Sequence, residues 1–194
     1  MTHKKIFILL GNPDSETHSG RMAGAYEEGA LSAGHEVRRQ NIGDMQFDPI
    51  LHKGYKVIQK LEPDLLTFQE NVKWCDHLVI IYPNWWATMP AILKGLIDRA
   101  WLPGFAFRFY NDGRLGWQKL LKGKSARTII LAKTHPWVTW ALFGEFTNEL
   151  ARGTLGFAGI APIRTIVFSP SESASPARFG WWLQRVKRMG ASAR

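Results

Sequence analysis

Two adjacent tryptophans that follow an apolar run are the residues of this sequence best suited to contact an aromatic ligand. Residues 77–82 have the composition of a buried strand, and Pro83 ends it because proline has no amide hydrogen to donate. The chain then carries Trp85 and Trp86 before Pro90 begins a predicted helix. Ligands of open α/β sheets bind at the carboxyl ends of the strands, where two indoles form a flat apolar wall. The pattern predicts a site for a planar aromatic molecule, and the alternative is a core helix with buried tryptophans.

A polar turn follows an earlier apolar run and precedes another predicted helix. Residues 11–20 are GNPDSETHSG. Free backbone amides and the helix dipole make such a turn a natural anion site, and the hydroxyl of Thr17 or Ser19 can cap the helix or donate to a phosphate. Ordinary capping without a ligand explains the same residues. Neither a GxGxxG nor a Walker pattern is present, which argues against dinucleotide-binding Rossmann and P-loop proteins.

A third turn, residues 133–137 (KTHPW), contains the one candidate for acid–base chemistry. Histidine readily exchanges a proton near neutral pH, so His135 is a candidate to protonate an acceptor. The alternative is a histidine that only packs or hydrogen-bonds in a turn. The other histidines lack the spacing of metal ligands, so no metal site is predicted, and the Gly-x-Ser-x-Gly pattern of hydrolases is absent.

Apolar runs alternate with amphipathic stretches along the chain. Strands are predicted at residues 6–11, 35–40, 77–82, 126–132 and 163–168, and helices at 20–33, 64–74, 90–101, 143–157 and 176–189. This alternation predicts an α/β fold with a parallel sheet and helices on both faces. The long connections 41–63 and 102–125 indicate functional or partner-contacting loops. Alternate aromatic residues at Phe105, Phe107 and Phe109 indicate extended structure. Residues 1–194 are predicted to form a single domain.

Composition and charge restrict the class of protein further. The chain is 45% hydrophobic and 21% charged, as in globular proteins, and its one cysteine, Cys75, fits a reducing compartment. The apolar run 6–10 is too short to span a membrane, so a cytoplasmic protein without stable membrane insertion is expected. The net charge of +9 suits attraction of anionic cofactors. The cations are scattered and no nucleic-acid motif accompanies them, so no nucleic-acid partner is expected.

Residues 82–107 resemble a motif of the bacterial branch of the NAD(P)H quinone oxidoreductase (DT-diaphorase-like) family of flavodoxin-fold proteins. The family pattern P-x-x-W-x-x-x-P-A-x-L-K-G-x-x-D/E-R is filled here by Pro83, Trp86, Pro90, Ala91, Leu93, Lys94, Gly95, Asp98 and Arg99. The resemblance implies a doubly wound, five-stranded parallel sheet of order 2-1-3-4-5. It also implies a bound flavin, with FAD favoured over FMN, and NADPH or NADH as hydride donor.

The resemblance assigns the flavin contacts, by position, to the three turns. The residues predicted to bind the cofactor are Asn12, Thr17, His18, Ser19, Pro83, Asn84, Trp85, Trp86, Thr134, His135 and Pro136. His135 is the catalytic candidate, and Phe107 and Trp137 are predicted to contact the substrate. His135 and Pro136 stand where better-known quinone reductases have glycines.

The implied activity is two-electron, ping-pong hydride transfer from NAD(P)H to a quinone or similar small acceptor. The family resemblance also implies a homodimer with flavin sites at the subunit boundary. The alternative is a flavin-binding regulatory subunit of a bacterial potassium-efflux system, which would contact a membrane transporter peripherally.

Overall fold

The computed structural model of the protein describes residues 3–145 and 147–194. The first half of the chain contains β1 (Lys5–Leu10), α1 (His18–Ser32), β2 (Glu36–Asn41), 3₁₀ turns at Ile42–Asp44 and Gly54–Lys56, α2 (Pro63–Trp74), β3 (His77–Pro83) and α3 (Ala91–Ala100). The second half contains β4 (Phe107–Phe109), β5 (Trp117–Lys119), β6 (Ser125–Leu131), α4 (Pro136–Phe143), a π-helical segment (Glu149–Gly156), β7 (Ile163–Phe168) and α5 (Pro176–Ser192).

Within the described residues, five parallel strands form a central sheet in the order β2-β1-β3-β6-β7. When only the strands of this sheet are counted, the order is 2-1-3-4-5, which confirms the predicted fold. The short strands β4 and β5 form a separate antiparallel hairpin. Extended structure at Phe107–Phe109 was expected from the alternate aromatics, whereas the pairing of this segment with β5 was not.

The sheet carries apolar side chains on both faces because alternate residues of a strand point to opposite sides. In β3, Leu78 and Ile80 join the core beneath α2, α3 and the π-helical segment. The intervening Val79 and Ile81 join the core beneath α1 and α5. Burial on both faces explains why the sequence of β3 is a continuous apolar run.

The carboxyl ends of the strands place the three candidate turns side by side. The Gly11 amide donates to the Ile81 carbonyl at 2.8 Å, and the Asn84 amide donates to the Leu131 carbonyl at 2.8 Å. These bonds continue the ladders β1–β3 and β3–β6 beyond the last strand residues. The turns after β1, β3 and β6 therefore lie along one edge of the sheet, as the parallel topology requires.

Arg99 of α3 anchors the long connection between β2 and α2. Its side chain is 1% exposed and donates to both carboxylate oxygens of Glu62, at 2.7 and 3.2 Å, and to the Lys60 carbonyl at 2.9 Å. It also donates to the Asp48 carbonyl. Burial alone would raise the pKa of Glu62, but the hydrogen bonds from Arg99 and from the backbone outweigh burial and lower that pKa. The connection is thereby packed against α3 as part of the scaffold.

The predicted helix at residues 143–157 is confirmed only over Glu149–Gly156, as a π-helical segment, and is wrong as one continuous helix. Its range includes Phe146, which lies outside the described residues, and on either side of that residue the chain forms two separate elements. Pro136 suits the first turn of α4, where no amide hydrogen is needed. Gly144, with φ of 81°, ends α4. Among residues 3–145 and 147–194, no helix has the length and apolarity needed to cross a bilayer.

Candidate functional site

The turn after β3 is tight and strained. The Trp85 amide donates to the Thr88 carbonyl at 2.9 Å, and the Thr88 amide donates back to Trp85 at 3.1 Å. The central residues Trp86 and Ala87 have φ of 53° and 62°, which is the left-handed region that two-residue turns normally fill with Asn and Gly. A non-glycine residue there costs roughly 1–2 kcal/mol. Such strain concentrates at functional sites, so the turn is a strong candidate for ligand binding.

The strained turn presents its aromatic side chains to solvent. Trp86 is 99% exposed and Trp85 is 46% exposed. An indole exposed to this extent gains nothing from packing within its own chain, whereas a planar ligand would cover it. The location of Trp86 thus fits the binding role predicted from the sequence and not the alternative of a core helix with buried tryptophans.

A cavity of about 550 Å³ lies beside this turn. Its apolar lining comes from Trp85, Trp86, Met89, Pro90 and Ala91, and its polar lining from Thr88, Lys94 and Glu149. The Thr88 hydroxyl donates to Oε1 of Glu149. Lys94 donates to both carboxylate oxygens of Asp98, at 2.7 and 2.8 Å. This combination of an apolar wall and a few polar groups is typical of a small-molecule site.

Asn84 provides an unsatisfied acceptor in the same turn. Its Oδ1 atom is buried and accepts no hydrogen bond from the described residues. Most buried polar atoms are hydrogen-bonded, so an exception at a candidate site calls for a partner. A ring N–H of a heteroaromatic ligand would supply the missing donor, and a flavin carries such a group. The residues present therefore fit a flavin ring.

The turn after β1 is organised by its own side chains. Asn12 Nδ2 donates to Thr17 Oγ1 at 3.0 Å, and Asn12 Oδ1 accepts from the Asp14 amide at 3.1 Å. Thr17 caps α1 by accepting from the Gly20 amide at 3.4 Å, and the Glu16 amide donates to Asp14 at 2.8 Å. An anion at the start of α1 would thus not meet the amides of Asp14, Glu16 and Gly20, because these already donate to side chains of the turn.

His18 and Ser19 lie close to the helix layer of α1 and α5. The His18 ring stacks on Phe179 with the centroids 4.1 Å apart, and Ser19 is 2% exposed. Their direct contact with a cofactor stays a prediction. A side chain at Gly20 would place its Cβ 1.8 Å from the Ser15 carbonyl oxygen, so only glycine allows the turn to fold back on the helix.

The turn after β6 exposes Thr134 and His135 and half-buries Pro136. His135 is the residue before α4, and its carbonyl accepts from the amides of Val138 and Thr139 at 2.9 and 3.1 Å. Its ring centroid lies 6.5 Å from that of Trp137. His135 is exposed beside the carboxyl edge of the sheet, and its catalytic role stays a prediction.

The two residues predicted to contact the substrate line cavities other than the one at Trp86. Phe107 lies in a cavity of about 240 Å³ together with Trp101 and Phe157. Trp137, 67% exposed, lines one of about 480 Å³ together with Trp140. Lys94 lines both the Trp86 cavity and the Phe107 cavity. Within this chain, neither predicted substrate residue joins the Trp86 cavity, so both assignments stay predictions.

Sequence reasoning missed Thr88, Met89 and Glu149 in the lining of the Trp86 cavity, and of these Glu149 comes from a distant part of the chain. Burial raises the pKa of Tyr82, and the negative charge of Glu149 raises it further. Tyr82 is near the end of β3, so the Glu149 carboxylate contributes to the electrostatic environment there. No local signal marks it, because 61 residues separate it from its partner Thr88. Within residues 3–145 and 147–194, no group of three or more His, Cys, Asp and Glu residues is arranged to hold a metal ion.

Comparison with known proteins agrees with this architecture. The family model of the flavodoxin-like fold matches residues 4–185. The human ribosyldihydronicotinamide dehydrogenase (quinone) is 31% identical over 220 aligned positions, covering 96% of this chain and 92% of the human protein.

Two solved structures are similar along nearly their whole length. A Streptococcus mutans protein superposes with a TM-score of 0.83 at 26% identity, over 97% of this chain and 99% of its own. An NAD(P)H:quinone oxidoreductase from Methanothermobacter marburgensis has the same fold, with a TM-score of 0.81 at 22% identity, over 98% of this chain and 97% of its own. The sheet order, the turns at its carboxyl edge and the match over residues 4–185 together show that the chain belongs to the flavodoxin-like family, as a relative of the NAD(P)H quinone oxidoreductases.

Proposed function

We propose that this protein is a flavin-dependent NAD(P)H oxidoreductase that reduces quinones or similar small acceptors by two-electron, ping-pong hydride transfer. The observation that carries the proposal is the strained Trp85–Thr88 turn, which exposes Trp86 almost completely and directly follows Asn84, whose Oδ1 accepts no hydrogen bond from the described residues. The human relative, a ribosyldihydronicotinamide dehydrogenase (quinone), and the Methanothermobacter NAD(P)H:quinone oxidoreductase support the same reaction class.

The chain's own residues position the reactants. Asn84 Oδ1 would accept from a ring N–H, Trp85 and Trp86 would cover flat apolar surface, and the first turn of α1 would face phosphate oxygens. Bound flavin supplies the hydride acceptor and donor, with FAD favoured over FMN. Across the cycle, NAD(P)H is oxidised to NAD(P)⁺, and a quinone gains one hydride and one proton. His135 is the proposed source of that proton.

The assembly and cellular location belong to this proposal. We expect a cytoplasmic homodimer. The exposed side chains of α4 suit an interface between subunits, since Trp137, Trp140 and Leu142 are 67, 65 and 68% exposed.

Replacement of Trp86 tests the proposal. The Trp86→Ala protein should bind flavin about 2- to 12-fold more weakly, because contact of an aromatic side chain with a ring is worth roughly 0.5–1.5 kcal/mol. Its apo form should melt close to the wild-type temperature, since an exposed side chain contributes little to folding. Fluorescence titration with FAD and with FMN measures both affinities, and released cofactor identifies the natural one.

Trp181→Ala is the matched control, because Trp181 is an indole on α5 that is 53% exposed. This variant should bind flavin like the wild type. A protein that stays colourless with excess FAD and with excess FMN would contradict the proposed function outright.

A further inference from the structure

We infer that Glu149 sets the charge preference of the acceptor site, so that neutral and cationic aromatic acceptors are reduced in preference to anionic ones. This inference rests on the proposed function. It concerns the cavity at Trp86, and it names a specificity residue that the family pattern does not contain.

The charge balance of the cavity lining supports this role. Two residues of the lining have ionisable side chains, Lys94 and Glu149. The Lys94 ammonium is already compensated by Asp98, at 2.7 and 2.8 Å from its two carboxylate oxygens. In the described part of the chain, no Lys, Arg or His forms an ion pair with Glu149. The lining therefore carries one uncompensated negative charge.

The hydrogen bond to Glu149 keeps that charge in place without cancelling it. Its partner, the Thr88 hydroxyl, is neutral and belongs to the strained turn that carries Trp86. The carboxylate is thus fixed beside the aromatic wall of the cavity. Burial raises the pKa of Tyr82, at the end of β3, and the negative charge of Glu149 adds to that rise.

The local charge opposes the charge of the whole molecule. A net charge of +9 attracts anions from a distance, whereas a carboxylate in the cavity repels an anionic ring that enters it. One partly screened charge pair of this kind is expected to change relative affinity by a factor of about ten. The site should therefore discriminate between acceptors that differ only in a sulfonate or carboxylate group.

Two quinones test the inference: 1,4-naphthoquinone and its 2-sulfonate. The measured quantity is kcat/KM for the sulfonate divided by kcat/KM for the neutral compound, which cancels effects common to both. Glu149→Gln should raise this ratio about tenfold over wild type. Thr88→Val retains the carboxylate but releases it from the turn, so this variant should raise the ratio by less than Glu149→Gln does.

Glu28→Gln is the matched control. Glu28 lies on α1, its side chain is 64% exposed, and it pairs with Lys187, so its replacement removes the same formal charge from the surface. The ratio should stay within about twofold of wild type. An equal change for both quinones in Glu149→Gln would overturn the inference, and Glu149 would then serve only to hold the turn.

Binding separates this inference from the proposed function. Calorimetry gives dissociation constants for the same two compounds whether or not turnover occurs. Preferential binding of the neutral compound that Glu149→Gln abolishes would support the inference even in a protein with no quinone reductase activity. Equal dissociation constants of the wild-type protein for the neutral quinone and its sulfonate would refute the inference, even if the protein is an active enzyme.

Discussion

His77 is buried at the amino end of β3 between two hydroxyl groups. Its Nδ1 lies 2.8 Å from Ser125 Oγ, and its Nε2 lies 3.1 Å from the Tyr26 hydroxyl. Burial lowers the pKa of His77 to about 3, helped by the nearby positive charges of Lys4, Arg127, His35 and Arg164. Burial also raises the pKa of Tyr26 to about 12, against the opposing effect of Arg127. The imidazole is therefore neutral in the folded protein across the physiological range.

This burial predicts a loss of stability in mild acid. The pKa of an unfolded histidine is about 6.5. As pH falls below that value, the unfolded chain binds a proton at His77 and the folded protein does not. The free energy of unfolding therefore falls between pH about 6.5 and about 3. From pH 6.5 to 5 this group should cost roughly 2 kcal/mol. Urea unfolding of the apo protein at pH 7 and pH 5 measures the loss.

The free energy of unfolding of His77→Asn should fall by roughly 2 kcal/mol less than that of the wild type between pH 7 and pH 5. His3→Gln, at a side chain that is 57% exposed, should retain the wild-type profile. Parallel pH profiles for wild type and His77→Asn would contradict the burial of a neutral imidazole.

At the scale of elements, α3 is held against the β2–α2 connection by a close approach that requires glycine. A Cβ built at Gly95 would lie 2.5 Å from Pro49 Cβ and 2.7 Å from the Pro49 carbonyl oxygen. The motif that predicts ligand binding thus also has a structural part: Gly95 and Arg99 dock the connection, while Pro83 and Trp86 shape the turn. Gly95→Ala should cost roughly 1–3 kcal/mol of unfolding free energy through overpacking.

Gly180→Ala on α5 is expected to stabilise the protein, in contrast to Gly95→Ala. Apart from its chain neighbours and the backbone of α5, no atom of the described residues lies within 4 Å of a Cβ built there, so alanine should stabilise the helix by about 0.5–1 kcal/mol. The denaturant concentration at the midpoint of unfolding measures the stability of both variants, provided that the dependence of the unfolding free energy on denaturant concentration is the same as in the wild type. Stabilisation by both substitutions would show that the contact between α3 and Pro49 is loose.

At the scale of the whole molecule, the net charge of +9 predicts salt-dependent use of the nicotinamide donor. Long-range attraction of the anionic NADPH should weaken as salt shortens the screening length to about 10 Å at 0.1 M. The kcat/KM for NADPH should therefore fall several-fold between about 0.02 and 0.2 M salt. The kcat/KM for dihydronicotinamide riboside, which lacks phosphates, should change little. An equal fall in kcat/KM for both donors would mean that salt affects the protein itself and not the rate at which the donor and the protein associate.

The features that the sequence determined by itself depend on interactions between residues that are close together in the chain. Continuous apolar runs and the missing amide of Pro83 predict the strands and the turn after β3, and both are confirmed. Equally short-range patterns offered Thr17 or Ser19 as the cap of α1, of which the structure uses Thr17, and predicted extended structure at Phe107–Phe109. The strand order was implied by the resemblance at residues 82–107 and is confirmed by the topology.

Only the tertiary structure decided which side chains meet across long stretches of chain. Thr88 and Glu149 are 61 residues apart, and Arg99 and Glu62 are 37 apart, so no periodicity or local spacing signals either pair. Helix α4 was not predicted, and the predicted helix 143–157 crosses the break at Gly144, where a positive φ redirects the backbone. Burial of His77 likewise depends on residues from α1 and β6. Charge compensation and burial are properties of packed neighbours, and the packing of parallel strands joined by helices brings those neighbours together from distant parts of the sequence.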